Sequence, residues 1–166
     1  MNPNDFFFPL RPFKEIRKLY SAMVAGNTVT VHYYGNGKHR TFSGFVWDVG
    51  VDNFHLVPSL TDTDEKTELY YTNLIKITIS YVLEHNRTTI LSTITAARET
   101  MMNRLYDDMV GTECVDIYTT GGTIYDTKLV YSISLEGIMI KPDFIVIPYS
   151  NIAMISECQR FEEKLD

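Results

Sequence analysis

Hydrophobic and polar residues follow a helical spacing and then an alternating spacing in the first half of the chain. Ile16, Leu19, Tyr20 and Met23 recur three or four positions apart, which predicts a helix over residues 13–24. Apolar and polar residues then alternate over residues 28–34, as in a half-buried strand. Further short strands are predicted over 41–49, up to Val57, over 68–71 and over 74–81. The pattern therefore predicts one helix followed by five antiparallel strands.

The second half of the chain repeats this order. An apolar stripe at helical spacing predicts a helix over residues 89–109, and five short strands follow it. The turns predicted between these strands lie at Gly121-Gly122, Glu136-Gly137, Pro142-Asp143 and Ser150-Asn151.

Direct sequence matches indicate that one small domain has been duplicated. The stretch Tyr70–Ile77 returns as Pro148–Ile155, seventy-eight positions later. Upstream the offset is 84, and around the helix and first strand it is 86. The offset changes only inside residues 35–40 and 59–68, where turn-forming residues predict loops that tolerate changes of length.

We predict four segments: an N-terminal arm over 1–12, a first domain over 13–82, a second over 83–158, and a polar tail over 159–166. The arm carries Phe6-Phe7-Phe8 between prolines that exclude a helix. These rings either cover the edge of their own domain or dock on a neighbouring chain.

Composition places the protein among globular chains in a reducing compartment. The 166 residues are 45% hydrophobic and 22% charged, and the net charge of −6 argues against a broadly basic surface that coats nucleic acid. The cysteines, Cys114 and Cys158, lack a spacing motif, so we expect free thiols rather than a disulfide. No membrane-length apolar run or signal pattern is present, which predicts a cytoplasmic protein without a membrane partner.

The helix, the five bent strands, Gly44 in the second strand and the Asn-aliphatic-x-x-Ile stretches at Asn73 and Asn151 resemble the Sm and Sm-like (LSm) family, which includes bacterial Hfq. The resemblance implies a mainly β fold of two tandem, Sm-like (SH3-like), five-stranded bent barrels, each preceded by an N-terminal α-helix. It also implies rings in which the fourth strand of one barrel pairs with the fifth strand of the next. Three chains would then give a six-barrel homo-oligomer.

The resemblance further implies binding of single-stranded RNA at loops that face a central pore. The candidate RNA-binding residues are Asp52, Asn53, Tyr70, Tyr71, Thr72, Asn73, Tyr149, Ser150 and Asn151. Tyr71 and Tyr149 would either stack on bases or pack against an adjoining barrel. However, Gly50 and Phe54 stand where the family has an acid and an amide, and the family's basic residue near Tyr70 is missing.

No pattern in the sequence indicates catalysis. The four histidines show no metal-ligand spacing, and Asp48 and Asp52 have no partner base nearby in the sequence. We therefore expect no enzyme activity, no metal and no cofactor. Two functions stay open: an RNA-binding Sm-like ring, or a protein-binding oligomeric scaffold on the same fold, such as a bacterial or bacteriophage accessory protein.

Overall fold

The computed structural model describes residues 13–61, 64–80 and 96–158. The chain forms two compact units, Met1–Leu91 (unit 1) and Ser92–Asp166 (unit 2). The predicted arm, the polar tail and the predicted boundary at residues 82 and 83 lie outside the described residues.

Within the described residues, each unit contains one helix followed by five strands, as the sequence pattern predicts. The elements of unit 1 are α1 (Phe13–Ala25), β1 (Thr28–Gly35), β2 (Lys38–Gly50), β3 (Asn53–Val57), β4 (Thr67–Tyr70) and β5 (Leu74–Ser80). The elements of unit 2 are α2 (Ala96–Gly111), β6 (Val115–Thr119), β7 (Ile124–Ser134), β8 (Gly137–Lys141), β9 (Ile145–Pro148) and β10 (Ile152–Glu157). A short 3₁₀ turn precedes the last strand of each unit, at Tyr71–Asn73 and at Tyr149–Asn151.

The two units share one strand order. In unit 1 the antiparallel strands run β5-β1-β2-β3-β4, and in unit 2 they run β10-β6-β7-β8-β9. The predicted mainly β class with a leading helix is therefore confirmed. Helix α1 packs on β2, and helix α2 packs on β7.

The predicted closed barrel is not found. Within the described residues no ladder joins β4 to β5 or β9 to β10, so each sheet stays open. The chain turns sharply in the 3₁₀ segment after β4, and β5 then pairs with β1, on the other side of the sheet. The second unit does the same, because β10 pairs with β6.

Both helices end in the same way. The Gly26 N–H donates to the Met23 carbonyl and the next N–H reaches back five residues to Ala22, which is the Schellman arrangement. In unit 2 the N–H groups of Thr112 and the following residue make the equivalent bonds. Gly26 and Thr112 have φ values of 72° and 55°, in the left-handed region that this cap requires.

The core of each unit is built from equivalent positions of the repeat. Every member of these pairs is buried: Ile16/Met102, Leu19/Leu105, Met23/Met109, Val29/Val115, Val31/Ile117, Val46/Val130, Val49/Ile133, Phe54/Ile138, Leu56/Ile140, Leu69/Ile147 and Ile77/Ile155. The second strand of each unit also has a bulge at the equivalent place, after Val46 and after Val130. Gly44 on β2 allows a close approach of β3, since a Cβ there would lie 2.6 Å from the Val57 carbonyl oxygen.

The expectation of two free thiols is wrong for this structure. Cys114 and Cys158 form a disulfide, with their Cα atoms 5.3 Å apart. The two residues flank the cross-strand pair Val115–Glu157 at one end of the β6–β10 ladder, so the sheet brings them together. Their separation of 44 residues hides this proximity in the sequence.

Among the described residues, no helix combines the length and the apolar composition that crossing a membrane requires.

Candidate functional site

The turn between β4 and β5 gathers the candidate RNA-binding residues of unit 1. Tyr70, at the end of β4, lies opposite Asn53 in the β3–β4 ladder. The Tyr71 N–H donates to the Asp52 carbonyl at 3.4 Å, and this bond ties the 3₁₀ turn to the β2–β3 turn. The Asn73 side-chain amide donates to the Tyr33 hydroxyl at 3.0 Å. These candidates therefore share one end of the sheet.

Unit 2 builds the equivalent turn. The Tyr149 N–H donates to the Glu136 carbonyl at 3.0 Å, and residue 136 is the counterpart of residue 52. The Asn151 carbonyl accepts from the Thr120 N–H at 2.8 Å, while the Ser150 and Asn151 side chains are exposed. The hydroxyl and amide groups of this turn face solvent, as Thr72 and Asn73 do in unit 1.

The rings of Tyr71 and Tyr149 lie inside their own units. They are only 9% and 5% exposed. The Tyr71 hydroxyl donates to the Gly50 carbonyl at 2.7 Å, and the Tyr149 hydroxyl donates to the Ser134 carbonyl at 2.6 Å. Both rings are therefore held within their own units, and stacking on bases or packing against an adjoining barrel stays a prediction for them.

The exposed candidates are neutral or acidic. Tyr70 is 44% exposed, and Asp52 is the one charged residue among the nine candidates. Affinity for nucleic acid comes largely from cations that neutralise phosphates, and the candidate set contains no Lys or Arg. RNA binding by these residues stays a prediction that the geometry does not strengthen.

A polar network on the outer face of unit 1 was missed by sequence reasoning. His55 Nδ1 donates to Asp48 at 2.8 Å, and His55 Nε2 donates to Glu68 at 3.2 Å. The second oxygen of Glu68 accepts from the Tyr70 hydroxyl. Asp48, which had no partner base in the sequence, thus finds one on the next strand. The register of the ladders brings these residues together, because Asp48 pairs with His55 and His55 pairs with Glu68.

Both partners of His55 are carboxylates, which favours the doubly protonated ring. The hydrogen bond that His55 donates to Asp48 is the main cause that raises the pKa of His55 above 6.5, and burial opposes it. The Tyr70 hydroxyl is the main cause that lowers the pKa of Glu68. Because both ring nitrogens are occupied, His55 offers none to a metal or to acid–base catalysis. No cluster of metal ligands occurs among the residues that the structure describes.

Unit 2 replaces this polar network with small and apolar residues. Ser132, Met139, Val146 and Pro148 stand where unit 1 has Asp48, His55, Glu68 and Tyr70. Val146 is 61% exposed, and its neighbours Phe144 and Ile145 are also exposed. The outer face is therefore charged beside β4 and apolar beside β9.

The strands at both ends of each sheet have one side without a ladder to any described residue. Within the described part of the chain β4, β5, β9 and β10 each pair with a single strand. Ile75 on β5 and Met154 on β10 are exposed apolar residues, and Met154 is 53% exposed. Each unit thus presents two different free edges.

Comparison of the chain with protein-family models, with curated proteins and with solved structures finds no match. A function has to be argued from the chain's own repeat, strand order and surfaces.

Proposed function

We propose that the protein is a non-enzymatic, self-assembling scaffold on an Sm-like framework, in which an edge strand of one chain pairs with an edge strand of another. The observation that carries this proposal is the open sheet of each unit. In each unit the fifth strand pairs with the first, and the second, third and fourth strands follow in order. Among the described residues, the fourth and fifth strands each have one side without a ladder.

Free strand edges favour association because they present unpaired N–H and C=O groups. Soluble proteins protect such edges with charges, bulges or covering segments, whereas β9 carries exposed Ile145 and Val146. Exposed apolar residues beside a free edge are typical of a binding surface. A second copy of this chain supplies the matching strand.

The geometry of the edges favours a closed assembly. The two edges of a unit differ, so a fourth strand binds a fifth strand in a head-to-tail contact rather than a symmetric one. Head-to-tail contacts close into a ring when the rotation per step divides a full turn. We infer that the oligomer is such a ring, and a trimer with six units is the form that the Sm-like resemblance implies.

RNA binding at the 3₁₀ turns is the second candidate. It is favoured by the exposed hydroxyl and amide groups of Thr72, Asn73, Ser150 and Asn151. The negative net charge and the buried tyrosine rings weigh against it.

Mass photometry and sedimentation velocity at micromolar concentration test the scaffold. We expect an oligomer, and we expect Val146→Lys to shift it toward smaller species because it places a charge beside the β9 edge. Ile124→Lys is the matched control: Ile124 is an exposed isoleucine that pairs with Tyr118 of β6, and it lies on β7, which is not one of the four edge strands. A monomeric unsubstituted protein would refute the proposal.

A parallel experiment addresses RNA. A labelled oligouridine is titrated with protein at several salt concentrations. Binding that weakens steeply with salt indicates phosphate contacts and would favour the RNA candidate. No binding at low salt, together with an oligomer, would favour the scaffold.

A further inference from the structure

The outer faces of the edge strands differ between the two units in a correlated way. Glu68 on β4 is replaced by Val146 on β9, and Lys76 on β5 is replaced by Met154 on β10. Both replacements follow the same offset of seventy-eight residues. At these two equivalent positions unit 1 thus carries an acid on one edge strand and a base on the other, whereas unit 2 carries an apolar residue on both.

We propose that assembly is like with like: the unit 1 edges of one chain pair with unit 1 edges of another chain, and unit 2 edges pair with unit 2 edges. This inference rests on the proposed edge-to-edge assembly and states which edges pair. Copies of unit 1 then close one ring and copies of unit 2 close another, in place of the single six-unit ring that the Sm-like resemblance implies. The residues that determine this pairing are Glu68 and Lys76 in the junctions between copies of unit 1, and Val146 and Met154 in the junctions between copies of unit 2.

The ladder registers place all four side chains on the outer face of their sheets. Glu68 lies opposite His55 and precedes buried Leu69, while Lys76 lies opposite His32 and precedes buried Ile77. Side chains alternate between the two faces of a strand, so Glu68 and Lys76 point away from the core.

The same register holds in unit 2. Val146 lies opposite Met139 and precedes buried Ile147, and Met154 lies opposite Tyr118 and precedes buried Ile155. When a fourth strand pairs with a fifth, their outer-face residues become cross-strand neighbours.

The unit 1 pair is free to form an ion pair between chains. Lys76 makes no ion pair within the described part of the chain and is exposed. Glu68 keeps 46% of its side chain exposed while it accepts from His55 and Tyr70, and a carboxylate has further acceptor sites. An exposed ammonium on the incoming strand therefore finds an available partner.

Mixed junctions lose both kinds of contact. Lys76 beside Val146 would place an ammonium against an apolar side chain. Glu68 beside Met154 would place a carboxylate against one. Opposite charges and apolar pairs stabilise neighbouring strands, while a charge that loses water without gaining a partner destabilises them. The neighbouring position adds to this selection, since exposed Ile145 stands where unit 1 has Thr67.

Charge reversal gives the first test. Each unit 1 junction contains Glu68 from one chain and Lys76 from the other, so Glu68→Lys or Lys76→Glu alone creates a like-charge contact. We expect either variant to raise the dissociation constant about fivefold, and we expect the double variant in one chain to recover most of the loss. A double variant that loses as much binding free energy as the two single variants lose together would overturn the proposal.

Unit 2 supplies the matched control. Val146→Glu and Met154→Lys should each weaken assembly, and together they should restore it, because the two new charges meet in one junction. Circular dichroism and thermal unfolding of each variant establish that the units remain folded. Recovery in neither unit would contradict pairing within units of one kind.

Cross-linking gives a test that does not depend on charge. Two differently tagged chains are co-expressed, one with Glu68→Cys and one with Lys76→Cys. The purified protein is treated with a short, flexible, bifunctional thiol-reactive cross-linker. We expect a covalent heterodimer from this pair and from Val146→Cys with Met154→Cys. We expect none from Glu68→Cys with Met154→Cys, and the unsubstituted chain controls for the native cysteines.

The outcomes separate the two proposals. A protein that stays monomeric overturns edge-to-edge assembly itself, and the specificity with it. An oligomer that cross-links residue 68 to residue 154 leaves the scaffold standing and overturns like-with-like pairing.

Discussion

The buried hydroxyl of Tyr71 gives a sharp prediction, because an exposed tyrosine stands next to it in the chain. Tyr71→Phe keeps the ring, which stacks on Phe54 with centroids 5.5 Å apart, and removes the hydroxyl that donates to the Gly50 carbonyl. Gly50 is itself buried, so its carbonyl loses a partner that water does not readily replace. We expect the free energy of unfolding of unit 1 to fall by about 1 to 2 kcal/mol.

Urea unfolding followed by tryptophan fluorescence measures this change. Trp47 is the single tryptophan of the chain and lies on β2, so its emission reports on unit 1. With a slope of about 1 kcal/mol per molar urea for so small a unit, the midpoint should fall by about 1 to 2 M. A double Tyr→Ala variant would be less informative, since losing a buried aromatic ring costs about 3 to 5 kcal/mol and threatens the fold itself.

Tyr70→Phe is the control. It removes a hydroxyl from a ring that is 44% exposed, and water replaces the lost bond to Glu68. We expect a change below about 0.5 kcal/mol. Equal losses for the two variants would refute the assignment of Tyr71 to the interior.

Three further changes test the structure at other points. Burial raises the pKa of Asp108 to about 6, and its Oδ2 atom is buried without a hydrogen-bond partner. The equivalent position of unit 1 is Ala22. Asp108→Ala should therefore raise the melting temperature at pH 7. The pKa of His55 is raised in the folded state, so the stability that its protonation adds is complete below pH 6.5 and is lost as the pH rises through the folded-state pKa. Urea midpoints measured across this pH range should fall accordingly, and His55→Gln should abolish the pH dependence. Cys158→Ser should lower the stability of unit 2 by about 2 to 4 kcal/mol in calorimetry, and thiol titration of the denatured, unreduced protein should find no free thiol.

Much of the local structure follows from the sequence because each element depends on nearby residues. The loop predicted inside residues 35–40 is confirmed as a two-residue turn at Asn36-Gly37: both residues have positive φ, and Gly35 pairs with Lys38 across it. The helix over 13–24 and the five strands of unit 1 lie within a few residues of their predicted bounds. In unit 2 the described helix begins at Ala96, and the earlier predicted residues lie outside the described part.

The failures concern relations between distant residues. Whether a fourth strand reaches a fifth depends on the curvature of the whole sheet, which no local pattern specifies, and so the barrel was predicted where the sheet is open. The Cys114–Cys158 disulfide depends on the pairing of the first and last strands of unit 2. The partner of Asp48 depends on a bulge, because the register between β2 and β3 shifts between Val46 and Asp48 and brings His55 opposite.

The duplicated chain provides an internal comparison that separates the requirements of the fold from those of each unit. Inner positions keep their character: the tyrosine of the 3₁₀ turn bonds a carbonyl at the end of the second strand in both copies. Outer positions do not, since Glu68 and Lys76 of unit 1 correspond to Val146 and Met154 of unit 2. A face needed only for solubility would be expected to stay polar in both copies, yet unit 2 exposes apolar residues beside two free edges. The difference between the copies is therefore best explained by what each unit contacts, and the edge strands are where that contact should be sought.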